Sequence, residues 1–142
     1  MGYNDYLTIE QAEQRLTTIR PLLETARLLK REIEMIAAHY NYDTMLLEEE
    51  KPHITQIITK LSETIDELED QGCYVKDLDL GIIDFLSTFE GRDVFLCWKL
   101  SDQGIKHWHE IDEGFSQRQD ILDLSDPTLL PDFETPYVEN EN

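Results

Sequence analysis

The chain is short of base. Twelve Lys and Arg stand against 31 Asp and Glu in 142 residues, a formal charge of −19. Affinity for nucleic acid rests largely on Lys and Arg that neutralise phosphates, and anionic membranes attract protein through the same side chains. No basic run is present, so neither is expected as a direct partner. Gln119–Asn142 holds seven acids and no base, which leaves 24 acids against 12 bases in residues 1–118. The acidity therefore belongs to the body as well as to the end of the chain. Long apolar runs are missing too. Nothing approaches the ~20 residues of a membrane span, and Met1–Tyr6 has neither the basic start nor the apolar stretch of a secretion signal. A soluble, cytoplasmic protein is the expectation.

Cysteine and glycine are equally sparse. Cys73 and Cys97 could form at most one disulfide, and in a reducing compartment both are read as free thiols. Cys97 lies inside an apolar strand pattern, where a buried thiol acts as a small hydrophobe. Gly81, Gly91, Gly104 and Gly114 stand singly at turns. They make no phosphate cradle, and no nucleophile elbow or dinucleotide fingerprint accompanies them.

What the chain does hold is two helical patterns followed by an abrupt change of period. Thr8-Ile9-Glu10-Gln11 is a capping box, with Leu7 and Ala12 spaced as a staple. Ala12, Leu16, Ile19, Leu23, Ala26, Ile33 and Ala37 then mark one face of a long helix over 8–40. Arg15, Arg27 and Arg31 fall off that face and read as solvated. Pro21 predicts a kink, or a break into two helices. A second helix over 44–71 carries Ile54, Ile57, Ile58, Leu61, Ile65 and Leu68, with Pro52 suited to a first turn and Gly72 to the stop. Glu48-Glu49-Glu50 reads as a solvated acidic run at its start. His39-Tyr40-Asn41-Tyr42-Asp43 reads as the connecting loop. Two amphipathic helices with a short connection predict an antiparallel hairpin.

After Gly72 the period becomes two. Strands are expected at Cys73–Asp77, Ile82–Leu86, Val94–Leu100 and Ile105–Glu110. Turns fall at Glu90-Gly91-Arg92-Asp93 and Ser101-Asp102-Gln103-Gly104. In the third strand Val94, Leu96, Trp98 and Leu100 share one face, and Phe95, Cys97 and Lys99 the other. The fold class is α+β: a long antiparallel helical hairpin packed on a small antiparallel β-meander, with an acidic C-terminal tail. Residues 1–118 form a single domain, with the sheet in 73–110 and a closing turn in 111–118. Residues 119–142, rich in acids and Pro, read as a flexible tail whose scattered apolar residues could instead dock on the body or on a partner; from about Leu124 onward little contribution to stability is expected.

The order of residues from Lys76 to Arg118 is specific. Lys76-Asp77, Asp79, Gly81 and Asp84-Phe85 are followed by Gly91-Arg92, Val94, Cys97-Trp98 and Leu100. Trp108-His109, Asp112, Gly114-Phe115 and Arg118 complete it. These blocks resemble a small prokaryotic family catalogued as domain of unknown function 2203, which covers this signature closely and the preceding helices more loosely. Ser101-Asp102 stands where that family commonly has Gly-Glu, Leu86 where Pro is frequent, and Asp120 replaces another Pro. The resemblance implies a fold and a shared surface, and no reaction.

The candidate ligand-binding residues are Asp79, Asp84, Trp98, Trp108, His109, Asp112 and Arg118. Three readings compete for them. A divalent metal could use His107, His109 and Asp112, since imidazole with carboxylate suits zinc, manganese or iron. Acid–base chemistry could use the paired carboxylates with His109. A structural network could instead pair Arg118 with Asp112, Asp84 or Asp79 and bury both Trp under the helices. The expected function is a soluble intracellular interaction or small-ligand-binding domain, leaning away from catalysis. The alternative is a small metal-dependent enzyme of hydrolase or lyase type that uses the His/Asp/Arg cluster. The expected partner is a protein or a small molecule, and the helical hairpin allows a homodimer.

Overall fold

The computed structural model describes residues 6–40 and 51–121. The first helix, α1 (Ile9–Tyr40), begins at the capping box. Thr8 N–H donates to Gln11 Oε1 at 2.9 Å, and Gln11 N–H donates to Thr8 Oγ1 at 3.0 Å. Two of the amides that every helix start leaves without a partner are thereby bonded. The helix runs unbroken through Pro21. The second helix, α2 (Lys51–Asp70), carries Pro52 in its first turn and ends where Gly72 takes a φ of 92°. The expected start of this helix at residue 44 lies outside the described residues, as do the acidic run before it and most of the connecting loop.

Five strands follow: β1 (Cys73–Asp77), β2 (Ile82–Phe89), β3 (Arg92–Lys99), β4 (His107–Glu110) and β5 (Gln119–Asp120). All neighbours are antiparallel and the spatial order is the chain order, a meander. The α+β layout of hairpin and sheet is that expected. The sheet has one strand more. Gln119 and Asp120 pair with β4, and Ile121 behind them is buried, its N–H donating to the Lys106 carbonyl at 2.8 Å. The folded body therefore continues past Arg118, where composition placed the start of the tail. A two-residue strand has no period to read, and the acids around it mask it.

Alternation sorts the strands into two faces. Ile83, Phe85 and Phe89 of β2, Val94, Leu96 and Trp98 of β3, and Trp108 of β4 point to the helices. They join Leu7, Ala12, Leu16, Ile19, Leu23, Ala26 and Leu68 in the hydrophobic core. This stripe stops at Ala26. Beyond it Leu28 and Met35 are exposed, and Ile33 and Ala37 are not in the core. Arg31 is exposed as expected, but Arg15 and Arg27, also expected to be solvated, clasp the loops, as does Arg20. Arg15 donates to the Gln71 carbonyl, Arg20 to that of Leu100, and Arg27 to those of Leu78 and Asp79. Glu13 accepts from Ile105 N–H at 3.0 Å. Long side chains on a helix edge reach the ends of the strands beneath, where turn carbonyls have acceptor capacity that no strand partner fills.

Candidate functional site

The face turned away from the helices carries a cluster of buried ionisable side chains. Strand register places Tyr74 opposite Asp84, Asp84 opposite Cys97, Cys97 opposite His107, and His107 opposite Asp120. One row of side chains thus crosses all five strands. The next row holds Leu86, Phe95 and His109, so His109 stands diagonally across from Cys97, within reach of it.

Asp84, Cys97 and His109 are all buried, at 1%, 0% and 1% exposure. One ligand atom from each lies within 4.8 Å of the other two. His109 Nδ1 is 2.8 Å from the Glu110 carbonyl, which can only accept, so Nδ1 carries a proton. Nε2 therefore faces Asp84 Oδ2, at 3.0 Å, and one proton is shared between them. Burial alone would lower the imidazole pKa. The bonds to Asp84 and to the Glu110 carbonyl outweigh it and raise the value above the ordinary one. The other carboxylate oxygen, Asp84 Oδ1, is buried without a hydrogen-bond partner among the described residues. The Cys97 thiol is pushed up to about 12, first by burial and then by the charge of Asp84. It is not an activated nucleophile: Nε2 of the imidazole is engaged by the carboxylate, and the thiol keeps its proton.

A second group flanks the first. Arg118 Nη1 donates to Asp102 Oδ2 at 2.8 Å, and the same oxygen accepts from Lys99 N–H at 3.0 Å. His107 Nδ1 lies 3.9 Å from that oxygen and, although buried, has no hydrogen-bond partner among the described residues. Burial opposes ionisation of Asp102, but the bonds from Arg118 and Lys99 prevail and hold its pKa below the usual carboxylate range. The Arg118 guanidinium also lies over Phe115, 4.2 Å from the ring centroid, with Lys99 near the same ring. Phe115 belongs to a short 3-10 turn, Phe115–Gln117. On the other side Phe95 packs edge-on against Tyr74 and tilted against His109.

Of the residues singled out from sequence, the structure brings together Asp84 and His109, with Arg118 in the flanking group. Trp98 and Trp108 face the helices as core, so neither lines this face. Asp79 sits in the β1–β2 turn and pairs with Lys30 of α1. Asp112 is exposed in the turn after β4. Arg118 binds Asp102 rather than Asp112, Asp84 or Asp79, because the 3-10 turn carries the chain back beside the β3–β4 turn. Gly114 has a φ of −128°, extended backbone open to any residue, so the turn does not require glycine there. Of the metal candidates, only His109 stands in the cluster, while His107 lies in the row of Asp84 and Cys97. Cys97 and Asp102 were missed as site residues. The alternation of β3 did put Cys97 opposite the core face, but only the register reveals that Asp84 and His107 are its neighbours.

Fold and site define a small α+β domain with a buried acid–thiol–imidazole cluster on the sheet face that the core does not use. The chain belongs to the family described as an uncharacterized conserved protein, DUF2203, whose model matches residues 5–121. No curated protein and no solved structure matches it.

Proposed function

We propose that the chain is a small-ligand-binding domain that works inside the cell, with its site on the sheet face around Asp84, Cys97 and His109 and flanked by Arg118, Asp102 and His107. The observation that carries this reading is the burial of a carboxylate, a thiol and an imidazole together where stability alone does not call for them. Polar groups are costly to bury, and an apolar set of the same shape would hold the sheet at least as well. Among the described residues Asp84 Oδ1 and His107 Nδ1 on this face are buried without hydrogen bonds, as Ser87 Oγ and Trp98 Nε1 are on the face toward the helices. Unsatisfied buried groups are uncommon and mark places where a ligand can complete the set. The two cysteines, held free and on opposite faces of the sheet, suit a reducing compartment. No helix among the described residues is long and apolar enough to cross a membrane.

A thermal-shift screen of divalent metals, small carboxylates and phosphates tests the reading. Compounds that raise the melting temperature of the wild type should fail to do so for His109→Ala or Arg118→Lys. Lys keeps the charge of Arg118 and loses its two-pronged geometry. Hits that shift the wild type and these variants equally would place the site elsewhere.

A further inference from the structure

We propose that Asp84, Cys97 and His109 form a binding site for a divalent transition metal of the zinc type. The inference rests on the reading of this sheet face as a ligand site and names the ligand class.

The donor set carries it first. A thiol sulfur, an imidazole nitrogen and a carboxylate oxygen together suit zinc and its neighbours, and do not suit magnesium or calcium, which take oxygen. Geometry comes next. Bonds of about 2.0–2.3 Å to a tetrahedral ion put donors roughly 3.3–3.8 Å apart. The three donor atoms already lie within 4.8 Å of one another, on three adjacent strands, so a closure of about 1–1.5 Å at most brings them to bonding distance. The outer contact is also in place. Nδ1–H of His109 bonds the Glu110 carbonyl, which fixes the ring so that Nε2 faces the other donors. Metal-bound histidines are held by this kind of bond. The orphaned Asp84 Oδ1 is a further, independent sign that the buried set is incomplete.

Charge balances as well. The metal-free cluster holds two exchangeable protons, one on the Cys97 thiol and one shared between His109 Nε2 and Asp84 Oδ2. A divalent cation replaces both, bound by thiolate, carboxylate and neutral imidazole, and the protons go to solvent. The net charge of the buried cluster is unchanged. Three protein donors leave a fourth position for water or for His107, the cross-strand neighbour of Cys97.

The experiment uses the full chain, stripped with a chelator and titrated with Co²⁺ under reducing conditions. The expected result is one ion per chain. It should come with a thiolate-to-cobalt charge-transfer band in the near ultraviolet and the strong visible bands of a tetrahedral ion. Cys97→Ser should abolish the near-ultraviolet band, while Cys73→Ser, on the other face, should keep it. Calorimetry in buffers of different ionisation enthalpy should find about two protons released per ion. Asp84→Asn and His109→Gln should weaken binding about a hundredfold or more, since loss of an outer contact alone costs 10–100-fold. Cys97→Ser leaves the Asp84–His109 pair intact, so the test stays readable even if those two variants fold poorly. The proposal is overturned if cobalt does not bind one to one, or if the charge-transfer band survives in Cys97→Ser. If cobalt does not bind but carboxylate or phosphate hits depend on Arg118, the metal is excluded and the ligand-binding domain stands. If every hit is indifferent to every site variant, the ligand-binding domain fails too.

Discussion

His109 and Asp84 form the most deeply buried ionisable pair among the described residues, and they show how little a sequence says about which acid meets which base. The two are 25 residues apart, joined only because β2, β3 and β4 are adjacent and in register. In metal-free protein, His109→Ala would leave the Asp84 carboxylate buried without its partner, at a cost on the order of 3–5 kcal/mol. The double change Asp84→Leu/His109→Phe removes both charges and fills the space. It should come within about 1 kcal/mol of the wild type, or exceed it. Urea denaturation of the two variants checks this. A double variant as damaged as the single one would mean that the pair holds the fold together, which would weaken the case for a ligand. Asp102 gives the pH dependence. Its folded pKa is lowered, so its contribution is fully present above the unfolded carboxylate value of about 3.9 and is lost as pH falls through the folded value. Wild type and Asp102→Asn should therefore differ most in stability near neutral pH and converge below about pH 4. A gap that stays constant across that range would rule out the charge of Asp102 as its source.

At the level of elements, the turns explain where the reading of the sequence succeeded and where it stopped. The β2–β3 connection is a two-residue hairpin between Phe89 and Arg92, with Glu90 at φ 54° and Gly91 at φ 80°. Both values are those of a type I′ turn, in which Gly91 is at ease and Glu90 is not. Glu90→Asn, which gives the turn its preferred pair, should raise stability by roughly 0.5–1 kcal/mol. Gly81→Ala should lower it. Gly81 has φ +71°, and a Cβ there would sit 2.8 Å from Leu100 Cβ. Denaturation midpoints report both, and an Asn that destabilises would show that the Glu90–Arg92 contact outweighs the strain. Helices, β1 and the two faces of β3 were legible because each rests on a period within a single element. Gly72, Gly81 and Gly91 marked turns because positive φ selects for glycine. The site was legible only in part. Asp84 stands out as an acid between Ile83 and Phe85, and His109 and Arg118 as members of the signature blocks, but Cys97 looks like any core residue until register shows it between Asp84 and His107.

For the whole molecule, the boundary of the folded body sets the last expectation. Composition put that boundary after Arg118, since residues 119–142 hold seven acids and no base. The sheet carries the body at least to Ile121, where the family match also ends. Two truncations separate these positions. Removing everything after Leu122 deletes six acids, Pro127, Pro131 and Pro136, and should change the melting temperature by less than about 4 °C, on the order of 1 kcal/mol for a domain of this size. Removing everything after Arg118 deletes β5 and the Ile121 side chain, which is 7% exposed and packed in the core. Loss of such a side chain costs about 2–5 kcal/mol. The second truncation should therefore melt roughly 8–20 °C lower than the first. It should also loosen the edge of the sheet beside His107, because β5 pairs Asp120 with that residue. Any cobalt bound at Asp84, Cys97 and His109 should then dissociate faster from the shorter chain at a temperature where both are folded. Equal melting temperatures would show that β5 adds nothing to the body. A large drop on removing 123–142 alone would show that the acidic segment contributes to stability after all.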